Sequence, residues 1–203
     1  DPAVGSGHFL VSALNELILL KYELGILVDA NGKRIKGSDY TLSIENDELI
    51  ITDADNNLFA YNPLNKESYR MQETLFHEKK QIIENCLFGV DINPNSVKIC
   101  RLRLWIELLK NAYYTAESNF RHLETLPNID INIKQGNSLL HRFNLQDSIK
   151  SILKETGINI EQYKNAVTKY KNAQDKGEKR ELESLISTIK SKLKTEIGQK
   201  EPK

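Results

Sequence analysis

The residues best suited to bind a ligand lie at the ends of predicted helices and strands. The turn Gly5-Ser6-Gly7 stands directly before a helical hydrophobic pattern, Asp91 ends a short apolar run, and Asn137 follows a further run. Glycines let the backbone come close to a ligand, and the free N–H groups at a helix N-terminus bind polar or anionic groups. A strand-end Asp accepts hydrogen bonds from ribose hydroxyls, and an Asn amide offers donors and an acceptor to an adenine edge. Each position is therefore a candidate for contact with a ligand, and the signal of each one alone is weak.

Each position also has a purely structural interpretation. The glycines are consistent with an ordinary turn, Asp91 with a helix cap before Asn93-Pro94, and Asn137 with a turn residue. A dinucleotide-binding fingerprint places the acid about 20 residues after the glycines, whereas Asp91 comes far later. The interval is explained if residues 28–85 are an insertion. A P-loop is excluded, because Gly-Lys-Ser/Thr occurs nowhere in the chain.

The elements that must position these residues are predicted from hydrophobic spacing. Apolar side chains within residues 8–24 follow the i, i+3, i+4, i+7 pattern of a helix. Residues 28–62 contain the hairpin signal Asn31-Gly32 and alternating segments, which predict a small antiparallel insertion. Residues 66–86 return to helical spacing. The predicted strands of the insertion are Tyr40–Ile44, Leu49–Thr52 and Leu58–Tyr61.

A strand–helix–strand unit is predicted after the insertion. Cys86–Asp91 is an apolar run that ends in an acid, which suits a buried parallel strand, and Pro94 suits the first turn of a helix. Ile129–Lys134 alternates as a second strand, so the order indicates an α/β sheet with right-handed crossovers. Because the helix carries two apolar stripes, we expect it to pack against the sheet. The stripes are Val97, Cys100, Leu104 and Leu108, and Ile99, Leu102, Ile106 and Leu109.

The C-terminal part of the chain differs in composition. Residues 161–197 are rich in Lys, Glu and Gln and keep helical spacing on both sides of Asp175-Lys176-Gly177, which predicts a helical hairpin. We therefore expect a domain over residues 1–150, with the antiparallel insertion at 28–62, and a charged helical extension over residues 151–203. The basic side chains of the extension are consistent with a solvated face or with contacts to DNA phosphates.

The amino-acid composition excludes several classes of protein. The 203 residues carry equal numbers of acidic and basic side chains, so net charge gives no case for nucleic-acid binding and any such function must rest on motifs. No apolar run reaches the roughly 18 residues of a membrane span. Two cysteines are too few for a disulfide framework or a zinc site, and the histidines are scattered. We predict no metal site and a reduced, cytoplasmic protein.

Three motifs resemble those of amino-methylating DNA methyltransferases. The first, Asp1-Pro2-Ala3-Val4-Gly5-Ser6-Gly7-His8-Phe9-Leu10, resembles Asn/Asp-Pro-Ala-Cys-Gly-Ser-Gly-x-Phe-Leu, with Val4 in place of Cys. Phe88-Gly89-Val90-Asp91-Ile92-Asn93-Pro94 and Gly136-Asn137-Ser138-Leu139 resemble the second and third motifs. Over residues 1–27 and 66–145 the chain is similar to the adenine-specific (N6) methyltransferase regions of type IIG and type I restriction–modification enzymes.

The resemblance implies a partial Rossmann-like fold, S-adenosylmethionine as the cofactor and DNA as the partner of the parent protein. By this resemblance Asp91 would hold the ribose hydroxyls, Ile92 would pack on the adenine face, and Asn137 would contact the adenine amino edge. The residues that it places along the methionine and ribose side of the cofactor are Asp1, Ala3, Gly5 and Gly7.

The catalytic motif of the family, Asn/Asp-Pro-Pro-Tyr/Phe, has no counterpart, because Pro-Pro occurs nowhere in the chain. In that motif a polar group holds the target amine and an aromatic ring stacks on the flipped base. We therefore assign no catalytic residue, interpret the chain as a fragment, and expect it to transfer no methyl group to DNA by itself. The strand that would enter the glycine turn is missing too, which predicts a frayed turn.

Two alternatives to a DNA methyltransferase stay open from the sequence. The first is a methyltransferase that acts on another class of substrate through the same fold. The second is a non-catalytic interaction module, in which the charged helical extension carries the function and the glycine turn is vestigial.

Overall fold

The computed structural model describes residues 1–140 and 160–198. The chain divides into two units, residues 1–136 and 137–203. The described part is mixed α/β. Its helices and strands are α1 (His8–Glu23), β1 (Tyr40–Glu45), β2 (Glu48–Asp53), α2 (Lys66–Asn85), β3 (Gly89–Asp91), α3 (Pro94–Leu109), β4 (Ile133–Gln135), α4 (Ile160–Asn172) and α5 (Lys176–Gly198).

Strands β3 and β4 form the predicted parallel pair, with Gly89 opposite Ile133 and Asp91 opposite Gln135. The other edge of β3 is hydrogen-bonded to the first residues of the chain. The N–H of Val4 donates to the carbonyl of Val90 at 2.9 Å, and the N–H of Val90 donates to the carbonyl of Asp1 at 3.0 Å. The order across this layer is therefore residues 1–4, β3, β4. The carboxyl end of β3 lies beside the glycine turn.

The two strands of this pair are shorter than the hydrophobic pattern predicts. Residues Ile129–Asn132 form a turn, in which the N–H of Asn132 donates to the carbonyl of Ile129 at 3.0 Å. The buried amide of Asn132 donates to the carbonyls of Ile83 and Leu87 at 2.9 and 3.1 Å. Asn132 thereby provides hydrogen-bond donors to the carbonyl groups at the end of α2. The alternating pattern assigned this polar residue to a strand, whereas in the structure its buried amide caps a helix.

Within the segment that we predict to be an insertion, β1 and β2 form an antiparallel hairpin, paired from Tyr40 opposite Asp53 to Glu45 opposite Glu48. Its two turn residues, Asn46 and Asp47, have φ values of 51° and 66°. Both values are positive, as a tight two-residue hairpin requires. The predicted third strand does not form, since Leu58 makes only a single bridge, to Thr52.

Helix α3 buries only one of its two apolar stripes. Val97, Cys100, Leu104 and Leu108 lie in the core. The expectation that this helix packs against the sheet is confirmed, because α3 contacts both β3 and β4. The second stripe faces solvent. Its exposed fractions are 47% for Ile99, 54% for Leu102, 44% for Ile106 and 50% for Leu109.

The second unit contains the two predicted tail helices. The break falls at residues 173–175, slightly before the predicted position, because the carboxylate of Asp175 accepts a hydrogen bond from the N–H of Glu178 at 2.9 Å and caps α5. Ala166, Tyr170 and Ile186 are buried. The predicted domain boundary at residue 150 lies outside the described residues. None of the helices in the described ranges is long and apolar enough to cross a membrane.

Candidate functional site

The glycine turn uses two left-handed residues to start α1. Gly5 has a φ of 54° and Gly7 a φ of 82°, a region that costs residues with a side chain about 1–2 kcal/mol. The N–H of Gly7 donates to the carbonyl of Val4 at 2.9 Å and closes the turn. Gly7 occupies the N-cap position of α1 without a side-chain cap. The first N–H groups of the helix have no partner within it, so they are available to a ligand.

Asp91 joins the turn to the end of β3. Its Oδ2 accepts a hydrogen bond from the N–H of Gly5 at 2.8 Å, and its Oδ1 accepts one from the N–H of Asn93 at 2.8 Å. A carboxylate offers about four acceptor positions, so two remain after these bonds. Asp91 is half-buried. The structure therefore brings a glycine turn and a distant strand-end carboxylate into direct contact, with acceptor capacity left over.

The neighbouring predicted residues lie on the open side of this junction. Asp1 and Ala3 are exposed, and the Asp1 carboxylate accepts the N–H of Ala3 at 2.9 Å. Ile92 is 69% exposed. The expectation of a frayed turn is wrong, because the backbone of Asp1 and Val4 is bonded to Val90.

Two close contacts, which the spacing of the motifs does not reveal, fix the turn against the rest of the unit. A Cβ added to Gly7 would lie 2.6 Å from the Sγ of Cys100, and a Cβ added to Gly89 would lie 2.7 Å from Cγ2 of Val4. The glycines thus allow α3 and the first residues of the chain to approach. Burial raises the pKa of the Cys100 thiol to about 11, so Cys100 is a neutral packing residue.

Asn137 belongs to the second unit. Its side chain is exposed, and its Oδ1 accepts the N–H of Leu139 at 3.0 Å, as in a local turn. The role that the resemblance gives to Asn137 stays a prediction. The structure brings together the other six predicted residues, which all lie in the first unit.

A second group of charged side chains in the first unit lies between the hairpin and helices α2 and α3. The Nζ of the buried Lys79 is 3.4 Å from Oε2 of Glu107, and Oε1 of Glu107 is 2.8 Å from the Nζ of Lys110. Lys110 also pairs with Glu48 at 3.2 Å. These side chains line a cavity of about 250 Å³. Burial lowers the pKa of Lys79. Among the described residues, no group of three or more His, Cys, Asp or Glu side chains is arranged to hold a metal ion.

A glycine turn that meets a strand-end carboxylate at the carboxyl edge of a parallel strand pair is typical of proteins that bind nucleoside-containing cofactors. Residues 85–202 match the profile of the Eco57I restriction-modification methylases, so the chain belongs to that family. The match includes β3, Asp91 and the tail helices, and the glycine turn lies before it.

Two curated relatives are similar to the chain over 140 residues. It is 37% identical to a protein of Methanocaldococcus jannaschii assigned as a type II restriction enzyme and methyltransferase, and 30% identical to the type II restriction enzyme and methyltransferase RM.Eco57I of Escherichia coli. Each alignment covers 69% of this chain but only 8% and 11% of the two relatives. The chain thus spans a small part of their length. No solved structure matches the chain.

Proposed function

We propose that this chain is the cofactor-binding region of a site-specific DNA adenine-N6 methyltransferase in a restriction–modification system, and that the methyl donor is S-adenosylmethionine. The fold that we propose is part of a Rossmann-like methyltransferase sheet, with the hairpin β1–β2 as an insertion. The observation that carries the proposal is the 2.8 Å hydrogen bond between the N–H of Gly5 and the carboxylate of Asp91. It supports a preformed site at the place where such sheets bind nucleosides.

The charges at the junction suit this cofactor. Asp1 and Asp91 both carry carboxylates next to the turn. Carboxylates accept hydrogen bonds from ribose hydroxyls and attract a cation, and they repel phosphate groups. S-adenosylmethionine carries a sulfonium cation and no phosphate, whereas nicotinamide and flavin dinucleotides carry a pyrophosphate. The donor set therefore fits the methyl donor better than it fits a dinucleotide.

Each residue of the first unit has a distinct part in the proposed site. Gly5 and Gly7 let the backbone approach the methionine moiety, with Asp1 and Ala3 on the same side. Asp91 accepts the ribose hydroxyls through its two remaining acceptor positions. Ile92 offers an exposed apolar surface to one face of the adenine. When bound, the cofactor supplies the methyl group, and the residues of this chain hold and orient it.

A calorimetric titration of the chain tests the cofactor assignment. S-adenosylmethionine and S-adenosylhomocysteine are expected to bind with similar stoichiometry. Titration of ATP or NAD is expected to give no heat of binding. Binding of ATP or NAD in preference to S-adenosylmethionine would contradict the assignment. So would the absence of S-adenosylmethionine binding by a chain whose circular dichroism shows the expected helices.

The adenine-N6 assignment is tested on the natural gene product. It is expressed in a host that lacks its own DNA adenine methylation, and the nucleosides of the host DNA are analysed by mass spectrometry. N6-methyldeoxyadenosine is the expected new nucleoside. A methylated cytosine in its place would contradict the adenine-N6 assignment.

A further inference from the structure

The exposed stripe of α3 has the spacing of a coiled-coil seam. Ile99, Leu102, Ile106 and Leu109 follow one another at intervals of three, four and three residues, which is the a-d-a-d pattern of two heptads. Their exposed fractions lie between 44% and 54%. The opposite face of α3 is in the core, so the helix is firmly held while the seam points away from it.

The positions that flank this seam carry a single sign of charge. In the heptad defined by Ile99 and Leu102, the e and g positions are Lys98, Arg103, Trp105 and Lys110. The one acid of α3, Glu107, is 6% exposed and lies on the core side. Side chains at e and g positions select the partner of a coiled coil by charge. The flanks of this seam therefore favour a partner that carries acids at the matching positions.

The same charges disfavour a second copy of α3 as the partner. In a parallel pair Lys98 of one copy would face Arg103 of the other, and in an antiparallel pair Arg103 would face Lys110. Both arrangements place cations together, which is destabilising. Lys110 is shared with Glu48 and Glu107, whereas Arg103 has a side-chain contact with the Nδ1 of His8 at 3.5 Å. Lys98 and Arg103 are therefore the flanking charges that decide the choice.

We propose that the seam of α3 is a docking surface for an amphipathic protein helix with apolar residues at its a and d positions and Glu or Asp at its e and g positions. The partner helix would lie along α3, cover the four apolar side chains, and place its carboxylates beside Lys98 and Arg103. This surface lies on a different element from the glycine turn. The proposal therefore stands independently of the cofactor assignment.

Fluorescence anisotropy with two synthetic peptides tests the proposal. Both peptides have three heptads with Leu at a and d; one carries Glu at e and g, and the other carries Lys there. We expect the chain to bind the Glu peptide at least about tenfold more tightly than the Lys peptide, which corresponds to about 1.4 kcal/mol. The variant Leu102→Glu/Ile106→Glu should lose this binding. Leu24→Glu, which changes another exposed apolar residue at the end of α1, should retain it.

A charge-reversal variant separates recognition from folding. Lys98→Glu/Arg103→Glu leaves the apolar seam intact and should invert the preference in favour of the Lys peptide. Equal binding of the two peptides, or binding of neither by a folded chain, would overturn the proposal. Sedimentation of the chain as a dimer that Leu102→Glu/Ile106→Glu dissociates would overturn it too, because the occupant would then be a second copy.

Discussion

Two groups of charged side chains in the first unit differ in how many of their hydrogen-bonding positions are occupied. At the cavity beside the hairpin, Lys79, Glu107, Lys110 and Glu48 form a chain of ion pairs, in which each charge faces an opposite one. At the glycine turn, Asp91 accepts two backbone N–H groups and keeps acceptor positions free. The charges of the first group are all paired with one another, whereas Asp91 keeps acceptor positions that a ligand can use.

This difference separates a structural polar cluster from the proposed cofactor site. Buried charges are tolerated in a core when they are paired, and removing one partner leaves the other uncompensated. A site must instead retain hydrogen-bonding capacity for a ligand. We therefore expect substitutions at the cavity to change the free energy of unfolding, and substitutions at Asp91 to change cofactor affinity.

The largest effect on stability is expected for Glu107→Gln. Glu107 is the counter-ion of the buried Lys79, and breaking such a pair from one side costs about 3–5 kcal/mol. Lys79→Met is the matched control: it should cost much less, because Glu107 keeps Lys110 as its partner at 2.8 Å. Urea denaturation measures both variants. Equal losses would show that the cluster does not behave as a closed network.

A somewhat smaller effect is expected for Gly7→Ala. The new Cβ would meet Sγ of Cys100 at 2.6 Å in a backbone conformation with φ of 82°, so strain and overpacking together should cost about 2–5 kcal/mol. Gly5→Ala also has a positive φ but meets nothing within 4 Å, and should cost about 1–2 kcal/mol. The comparison is made by urea denaturation. A Gly5→Ala loss as large as that of Gly7→Ala would mean that contact with α3 does not fix the turn.

A further, smaller effect is expected from pH. Burial lowers the pKa of Lys79 in the folded protein, whereas an unfolded lysine has a pKa of about 10.4. Between these two values the unfolded chain binds more protons, so this residue makes stability rise with pH. Between pH 8 and pH 10 the free energy of unfolding should therefore rise more, or fall less, in the wild type than in Lys79→Met. Identical changes in the two proteins would show that Lys79 titrates normally.

The sequence was sufficient to predict several local features. The residue types of the glycine turn and of the strand-end Asp91 predicted that they share one site, although the interval between them is far longer than a dinucleotide-binding fingerprint allows. Alternating residues predicted the two strands of the hairpin, which Asn46 and Asp47 close with positive φ values. The predicted turn at Asn31-Gly32 lies outside this hairpin, between the singly bridged residues Val28 and Arg34.

Features that depend on tertiary contacts were not predictable in this way. Asn132 interrupts an alternating pattern to bind the end of α2, and the second stripe of α3 is left in solvent. Periodicity shows that a face is apolar but not what covers it. The approach of Cys100 to Gly7 likewise depends on how α3 crosses α1.

The central claim is that the Asp91 carboxylate holds the cofactor, and it is tested most directly by calorimetric titration of S-adenosylmethionine into Asp91→Ala and Asp53→Ala. Asp53 is a matched control: it also ends a strand and accepts two backbone N–H groups, from Asp55 and Asn57 at 2.9 Å, but it lies in the hairpin. Loss of hydrogen bonds to a charged acceptor should weaken binding about tenfold to a hundredfold in Asp91→Ala. Asp53→Ala should bind as the wild type does. Unchanged affinity in Asp91→Ala, or equal losses in both variants, would contradict the account.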